Sequence, residues 1–158
     1  MSKPYVFFTN DVFETQQLAS KLAKYLHPGD VITLEGDLGA GKTSFTQGIA
    51  KGLEISQVVN SPTFTIIKEY YGRIPLYHMD VYRLEDGAED LGFEEYFYGE
   101  GVTMIEWASM IHEFLPEELL NIKIEKISDD QRKITFEPKG ERYIQLCEEF
   151  SRNEDFSD

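Results

Sequence analysis

The sequence predicts an α/β fold: a mixed, mostly parallel sheet flanked by helices, with an antiparallel hairpin toward the C-terminus. Three observations carry this. Short apolar runs rich in β-branched residues alternate with helix-like segments along the chain, as expected when helices are laid on a sheet. The run Val31-Ile32-Thr33-Leu34-Glu35 leads straight into a glycine-rich stretch, Gly36 to Gly41. Phe45, Ile49 and Leu53 then follow at spacing four, the stripe of an amphipathic helix.

Taken in order, Tyr5-Val6-Phe7-Phe8 reads as a first strand. Thr9 or Asn10 can cap the next helix, with Glu14 placed for a capping-box contact. Leu18, Leu22 and Leu26 mark that helix's apolar face, and Pro28-Gly29 ends it. The 31–35 strand, the glycine stretch and a helix to about Leu53 follow. Thr63 to Tyr71 is β-branched and aromatic and predicts a strand. Gly72-Arg73 turns into a second strand from Ile74 to Met79. Two short helices are expected between Glu85 and Tyr98, and a buried strand over Val102-Thr103-Met104-Ile105. A short helix is expected over Ala108 to Phe114. Ile122–Ile127 and Lys133–Phe136 flank Ser128-Asp129-Asp130 as a hairpin. Glu141 to Phe150 reads as a last helix. The expected organisation is one domain over residues 1–150 and a polar tail over 151–158.

Gly36-Asp37-Leu38-Gly39-Ala40-Gly41-Lys42-Thr43 fits G-x-x-x-x-G-K-[ST], the phosphate-binding loop. Its glycines let successive backbone N–H groups turn inward onto phosphate oxygens. Lys42 would reach the β- and γ-phosphates, and the Thr43 hydroxyl, followed by Ser44, would lie beside Mg²⁺. The helix beginning there adds its positive end. Strand, loop and helix together predict a single P-loop NTPase domain. The chain has no N-K-x-D element, the guanine reader of G proteins, so ATP is expected over GTP.

Such a loop needs a partner acid at a neighbouring strand end, to hold the metal or orient water. Asp80 closes the run Ile74 to Met79, and Glu106 closes Val102 to Ile105. Both would fall at the sheet edge beside the loop. Ser61-Pro62-Thr63-Phe64-Thr65 lies where a γ-phosphate-sensing segment is expected, with two hydroxyls at Thr63 and Thr65. Arg73 and Arg83 are the arginines that could stabilise a transition state. His78 reads as a packed strand histidine and Trp107 as a packing residue. The three histidines and single cysteine show no structural-metal spacing.

The 158 residues carry 15 Lys+Arg against 29 Asp+Glu, a net charge of −14. That field repels nucleic acid at long range, so RNA would be reached through a partner rather than held broadly by this chain alone. The densest acidic stretch, Glu85 to Glu100, contains no Lys or Arg. It reads as a solvated helical face or as a docking surface for a basic partner. One cysteine excludes an intrachain disulfide. With no apolar run of membrane-spanning length and no signal-peptide pattern at Met1-Ser2-Lys3-Pro4, a cytoplasmic location is expected.

With the loop, Ser61-Pro62-Thr63-Phe64-Thr65, His78-Met79-Asp80-Val81-Tyr82-Arg83-Leu84 and Ile105-Glu106-Trp107 read together, the chain resembles the bacterial TsaE family, also called YjeE. The resemblance spans nearly the whole chain. It implies a small Mg²⁺-dependent ATPase needed for threonylcarbamoyl modification of the adenosine beside the anticodon in certain tRNAs. It implies two partner proteins, TsaB and TsaD, with TsaD carrying out the transfer. By position it makes Gly36 to Thr43 the phosphate site, Thr43 and Glu106 the Mg²⁺ contacts, and Asp80 an essential acid near the metal or water. It also places Asp11 and Arg132 close to the adenine. Read without the resemblance, the same motifs leave two other functions open. One is a small-molecule kinase, although no arginine-rich lid stands out. The other is a nucleotide-gated binding module with little turnover.

Overall fold

The computed structural model describes residues 4–37, 39–59, 67–81 and 93–153. Seven strands form one sheet: β1 (Tyr5–Thr9), β2 (Val31–Glu35), β3 (Ile67–Tyr70), β4 (Leu76–Asp80), β5 (Val102–Glu106), β6 (Leu119–Lys126) and β7 (Arg132–Lys139). Among the described residues the helices are α1 (Val12–Ala23), α2 (Lys42–Gly52), α3 (Phe93–Phe97) and α4 (Glu141–Asn153). A 3₁₀ helix covers Ala108–Phe114. The strand order is β1-β7-β6-β2-β5-β4-β3. The inner four, β6, β2, β5 and β4, are parallel. β6 and β7 form the antiparallel hairpin, β1 pairs antiparallel with β7, and β3 pairs antiparallel with β4. The predicted α/β class, the mostly parallel centre and the C-terminal hairpin are what the chain forms.

Strand alternation sorts the core into two faces. On one, Ile32 and Leu34 of β2, Met104 of β5, and Ile122 and Ile124 of β6 meet Leu18 and Leu22 of α1, Phe45 and Ile49 of α2, and Leu146 and Phe150 of α4. On the other, Val31, Met79, Ile105 and Leu119 meet Phe93 and Phe97 of α3 and Ile111 of the 3₁₀ helix. Cys147 belongs to the first core, where burial pushes its thiol up to about 12.

Several boundaries differ from the sequence reading, for local reasons. The N-cap of α1 is Asp11, whose carboxylate accepts from the Glu14 N–H at 2.8 Å. Glu14 reaches back to the Asn10 N–H at 2.9 Å, so the capping box is present but shifted. α1 ends at Ala23 rather than running to Pro28, because the chain must turn through His27–Asp30, where the Asp30 carboxylate accepts from the His27 N–H at 2.7 Å. That carboxylate also takes a two-pronged contact from Arg142 of α4, at 2.7 and 3.1 Å. β6 starts at Leu119, earlier than expected, because Leu119 and Leu120 are recruited into the core. α4 continues three residues past Phe150 to Asn153. The expected strand from Thr63 is described only as β3, since residues 60–66 lie outside the described part. Most of the 85–98 segment is outside it too, leaving α3 as its described helix.

α1 and α2 pack closely, and Gly48 and Gly52 are what allow it. A Cβ on Gly48 would come within 2.5 Å of the Gln16 carbonyl oxygen and 2.7 Å of the Ala19 Cβ. Contacts this short fall toward the upper end of the about 1–3 kcal/mol that overpacking costs, which exceeds the ~1 kcal/mol that alanine gains over glycine in a helix. The net of about 1–2 kcal/mol should lower the Tm of Gly48→Ala by roughly 2–8 °C, at roughly 2–4 °C per kcal/mol for this size. Thermal unfolding followed by circular dichroism checks this. An unchanged or raised Tm would show that the two helices separate at no cost.

Candidate functional site

β2 ends at Glu35 and the glycine loop turns at once. A Cβ on Gly36 would meet the Ile124 carbonyl oxygen of β6 at 2.7 Å, so the loop's first residue has no room for a side chain. Gly41 sits at φ +113°, in the left-handed region that a side chain disfavours. It is the N-cap of α2, and no side chain caps that helix. The first-turn N–H groups of α2, from Lys42, Thr43 and Ser44, thus open onto the loop without a side-chain acceptor, which suits an anion. Ala40 is buried and its N–H donates to the Asp37 carbonyl at 2.9 Å, tightening the turn. Leu38 lies outside the described residues.

Parallel pairing brings the two candidate acids here. In the β2–β5 ladder Leu34 lies opposite Glu106, and in the β4–β5 ladder Asp80 lies opposite Glu106. The ends of β2, β5 and β4 therefore converge where α2 begins. Lys42 and Glu106 are both buried, at 7% and 4% exposure, with Lys42 Nζ 4.0 Å from Glu106 Oε1. The separation is wide for an ion pair, so the ammonium is near its counter-charge without being clamped by it. The ammonium also lies 4.5 Å from the centre of the Trp107 ring, a cation–π contact. Trp107 takes a left-handed backbone, φ +63° and ψ +37°, immediately after β5. Strain of this sort persists only where the surroundings over-determine it. His78, fully buried on β4, lies with its Nε2 2.7 Å from Glu106 Oε2. A carboxylate accepts, so the imidazole donates from Nε2. Asp80, two residues on along β4, is half-buried on the same face of the sheet.

Arg132 opens β7 and grips the loop from the other side. Its Nε donates to the Ala40 carbonyl at 2.7 Å, and one terminal nitrogen donates to the carbonyls of Ser128, Asp129 and Gln131 at 2.9–3.1 Å. The hairpin tip and the glycine loop are thus joined through one guanidinium. Asp11 stands two residues beyond Thr9, which pairs with Arg132 in the β1–β7 register. Exposed Val12 and Phe13 adjoin Asp11, and exposed Ile127 lies in the hairpin. A cleft of about 980 Å³ borders the loop at Gly36, Lys42 and Trp107 and extends over Thr33, Asn121 and Lys123 on the sheet face that carries the 3₁₀ helix.

The structure therefore gathers Gly36, Asp37, Gly39 to Ser44, Glu106, Asp80 and Arg132 around one loop, with Asp11 at the same edge. Arg73 it does not. That guanidinium donates to the Ala23 carbonyl at 3.0 Å, where α1 ends, at the opposite edge of the sheet. Arg83, Thr63 and Thr65 lie outside the described residues. Sequence reasoning missed two contacts: the bond from His78 to Glu106 and the Trp107 face over Lys42. The first had a signal, since His78 and Asp80 are two apart in one strand and must share a face. Among the described residues no cluster of three or more His, Cys, Asp or Glu could hold a metal by itself.

Strand, glycine loop and helix at the centre of a mostly parallel sheet define an α/β protein whose site is built around that loop. The family model described as "Threonylcarbamoyl adenosine biosynthesis protein TsaE" matches residues 9–134, and the chain belongs to the TsaE family. A Bacillus subtilis (strain 168) relative, tRNA threonylcarbamoyladenosine biosynthesis protein TsaE, is 60% identical over 145 residues, covering 91% of this chain and 92% of the relative. The protein of the same name from Treponema pallidum (strain Nichols) is 42% identical over 124 residues, covering 77% of this chain and 92% of its own length. The crystal structure of Bacillus subtilis YdiB superposes with a TM-score of 0.87 at 51% identity, over 98% of this chain and 99% of that one. No described helix is long and apolar enough to cross a membrane.

Removing the Arg132 grip should loosen the loop without unfolding the domain. A hydrogen bond from a charged donor is worth about 1.5–3 kcal/mol. Arg132→Met is therefore expected to raise amide exchange at Ala40 and Gly41 at least about tenfold, with exchange in β2 and β5 unchanged. Exchange read by mass spectrometry or NMR decides this. Equal protection of the loop in both proteins would mean that Arg132 does not hold it.

Proposed function

We propose that this chain is a Mg²⁺-dependent ATPase serving threonylcarbamoyl modification of tRNA, acting with partner proteins of the TsaB and TsaD type. The observation that carries the reading is the buried Lys42–Glu106 pair at the mouth of an uncapped glycine loop. A lysine near its carboxylate but not locked to it can turn toward β- and γ-phosphates at little cost. The loop N–H groups from Gly39 to Ser44 would cradle the phosphate oxygens. Thr43 and Glu106 would hold Mg²⁺ directly or through water, with Asp80 alongside, and Mg²⁺ there supplies charge neutralisation across the β- and γ-phosphates. Asp11 with Val12 and Phe13, facing the Arg132 hairpin, would border the base. The pathway is the one in the names of the relatives. The net charge of −14 argues that tRNA is met through the complex, and that basic partner residues draw the chain in. These interactions would operate in the cytoplasm.

Lys42→Ala should weaken ATP binding at least about tenfold, as expected for loss of one charge-assisted contact, and abolish hydrolysis. Calorimetric titration and phosphate release read both effects, and unchanged affinity would remove the loop from nucleotide binding.

Glu106→Gln and Asp80→Asn preserve shape while removing charge. Each is expected to lower turnover at least about a hundredfold, as loss of one electrostatic stabiliser does, with ATP affinity changed far less. Wild-type turnover in either variant excludes that residue from the chemistry.

Arg73 is bound to the end of α1, no arginine-rich lid stands out in the sequence, and turnover by the chain alone is expected to be slow. It is expected to rise at least about tenfold when TsaB- and TsaD-type proteins are added, and the stimulation should fall as salt rises. Fast turnover alone, indifferent to partners, would contradict this. Labelled phosphate appearing on a small acceptor rather than free would point to a kinase instead.

A further inference from the structure

We infer that His78 is a positioning residue for the Glu106 carboxylate: it holds Oε2 by a hydrogen bond and leaves Oε1 as the oxygen presented to the glycine loop. The inference rests on the ATPase reading for its kinetic consequence, but its geometry stands independently. His78 is fully buried, and its Nε2 lies 2.7 Å from Glu106 Oε2. Its other ring nitrogen, Nδ1, is buried and has no hydrogen-bond partner among the described residues. A buried polar atom without a partner is unfavourable, and an apolar side chain of similar volume would avoid it. The imidazole is therefore not explained by filling space in the core. What it supplies is one directed N–H, and that N–H goes to Glu106.

The two oxygens of Glu106 are thereby made unlike. Oε2 is occupied from β4, while Oε1 lies 4.0 Å from Lys42 Nζ. The β4–β5 register sets Met104 opposite His78 and Asp80 opposite Glu106, so the contact runs diagonally across the ladder. That diagonal requires the long reach of a histidine, and it fixes the carboxylate's rotation about its last bond. The strained backbone of Trp107, next in sequence, fixes where Glu106 leaves β5. Both ends of the residue are thus held before any phosphate or metal arrives, which is the preorganisation that an electrostatic site needs.

The test is a double-mutant cycle between His78→Leu and Glu106→Gln, with His78→Gln as the conservative variant. Glutamine places an amide N–H close to where the imidazole Nε2 stands. Circular dichroism first establishes that each variant is folded. Phosphate release gives turnover. The fluorescence of Trp107, the chain's single tryptophan, gives Mg·ATP affinity as a function of Mg²⁺. Expected are a turnover at least about tenfold lower in His78→Leu with KM changed less than about threefold, substantial recovery in His78→Gln, and no further loss when His78→Leu is added to Glu106→Gln. A folded His78→Leu variant with wild-type turnover and Mg²⁺ dependence overturns the inference. So does a loss that simply adds to that of Glu106→Gln, or a His78→Gln variant no better than His78→Leu. If the wild-type chain releases no phosphate, with or without its partners, the ATPase reading falls on its own. The Mg²⁺ dependence of nucleotide affinity then decides the His78 role: a weakening in His78→Leu that His78→Gln restores supports it, and equal dependence in wild type and His78→Leu refutes it.

Discussion

A carboxylate at 4% exposure inside an α/β sheet is the constraint around which the rest of this site is arranged. Burying Glu106 is unfavourable unless its oxygens are paired. The fold meets this from two directions, and a third element sets where the residue leaves its strand. Lys42 arrives on the first turn of α2, His78 from the neighbouring strand β4, and the backbone turn at Trp107 sets the exit from β5. Each of these depends on the parallel ladder that places β5 between β2 and β4. Were β5 at an edge, the glycine loop and the histidine could not both reach the same residue.

The same ladder helps to position the described residues of the loop. Gly36 lies against the backbone of β6, so the first loop residue is positioned by the sheet. Arg132 ties Ala40 to the hairpin tip, so the middle of the loop is positioned by β7. Gly48 lets α2 settle directly on α1, so the helix after the loop is positioned by the core. A cradle for an anion must hold several N–H dipoles close together at an angle they would not choose in water. Support from three separate elements supplies that rigidity.

Charge is distributed with the same division of labour. The chain carries a net −14, yet Lys42 is at the loop and Lys123 lines the adjoining cleft. Glu35, Asp37 and Glu125 line the same cleft beside Lys126 and Lys139, so the cleft carries both signs of charge within an acidic molecule. The exposed Glu94, Glu95 and Glu100 around α3 lie on the opposite face of the sheet from α1 and α2.

The sequence by itself determined the elements and the loop. The G-x-x-x-x-G-K-[ST] spacing, the apolar run before it and the fourfold apolar spacing after it are local signals, and local signals survive without a three-dimensional frame. The two strand-end acids and the hairpin were legible for the same reason. So was the family resemblance, because the motifs lie in order along one chain. What only the tertiary structure decided is which strands are neighbours. Strand order is non-local: nothing between Glu35 and Val102 states that β2 will pair with β5, or that Asp80 and Glu106 will stand side by side. Nor could composition separate two arginines that look alike in the chain. Arg132 holds the loop, while Arg73 is spent on the end of α1 at the far edge. The role of His78 was half legible, since the two-residue period places it on the face of Asp80. Its partner depended on a diagonal across a ladder that forms only when the sheet does.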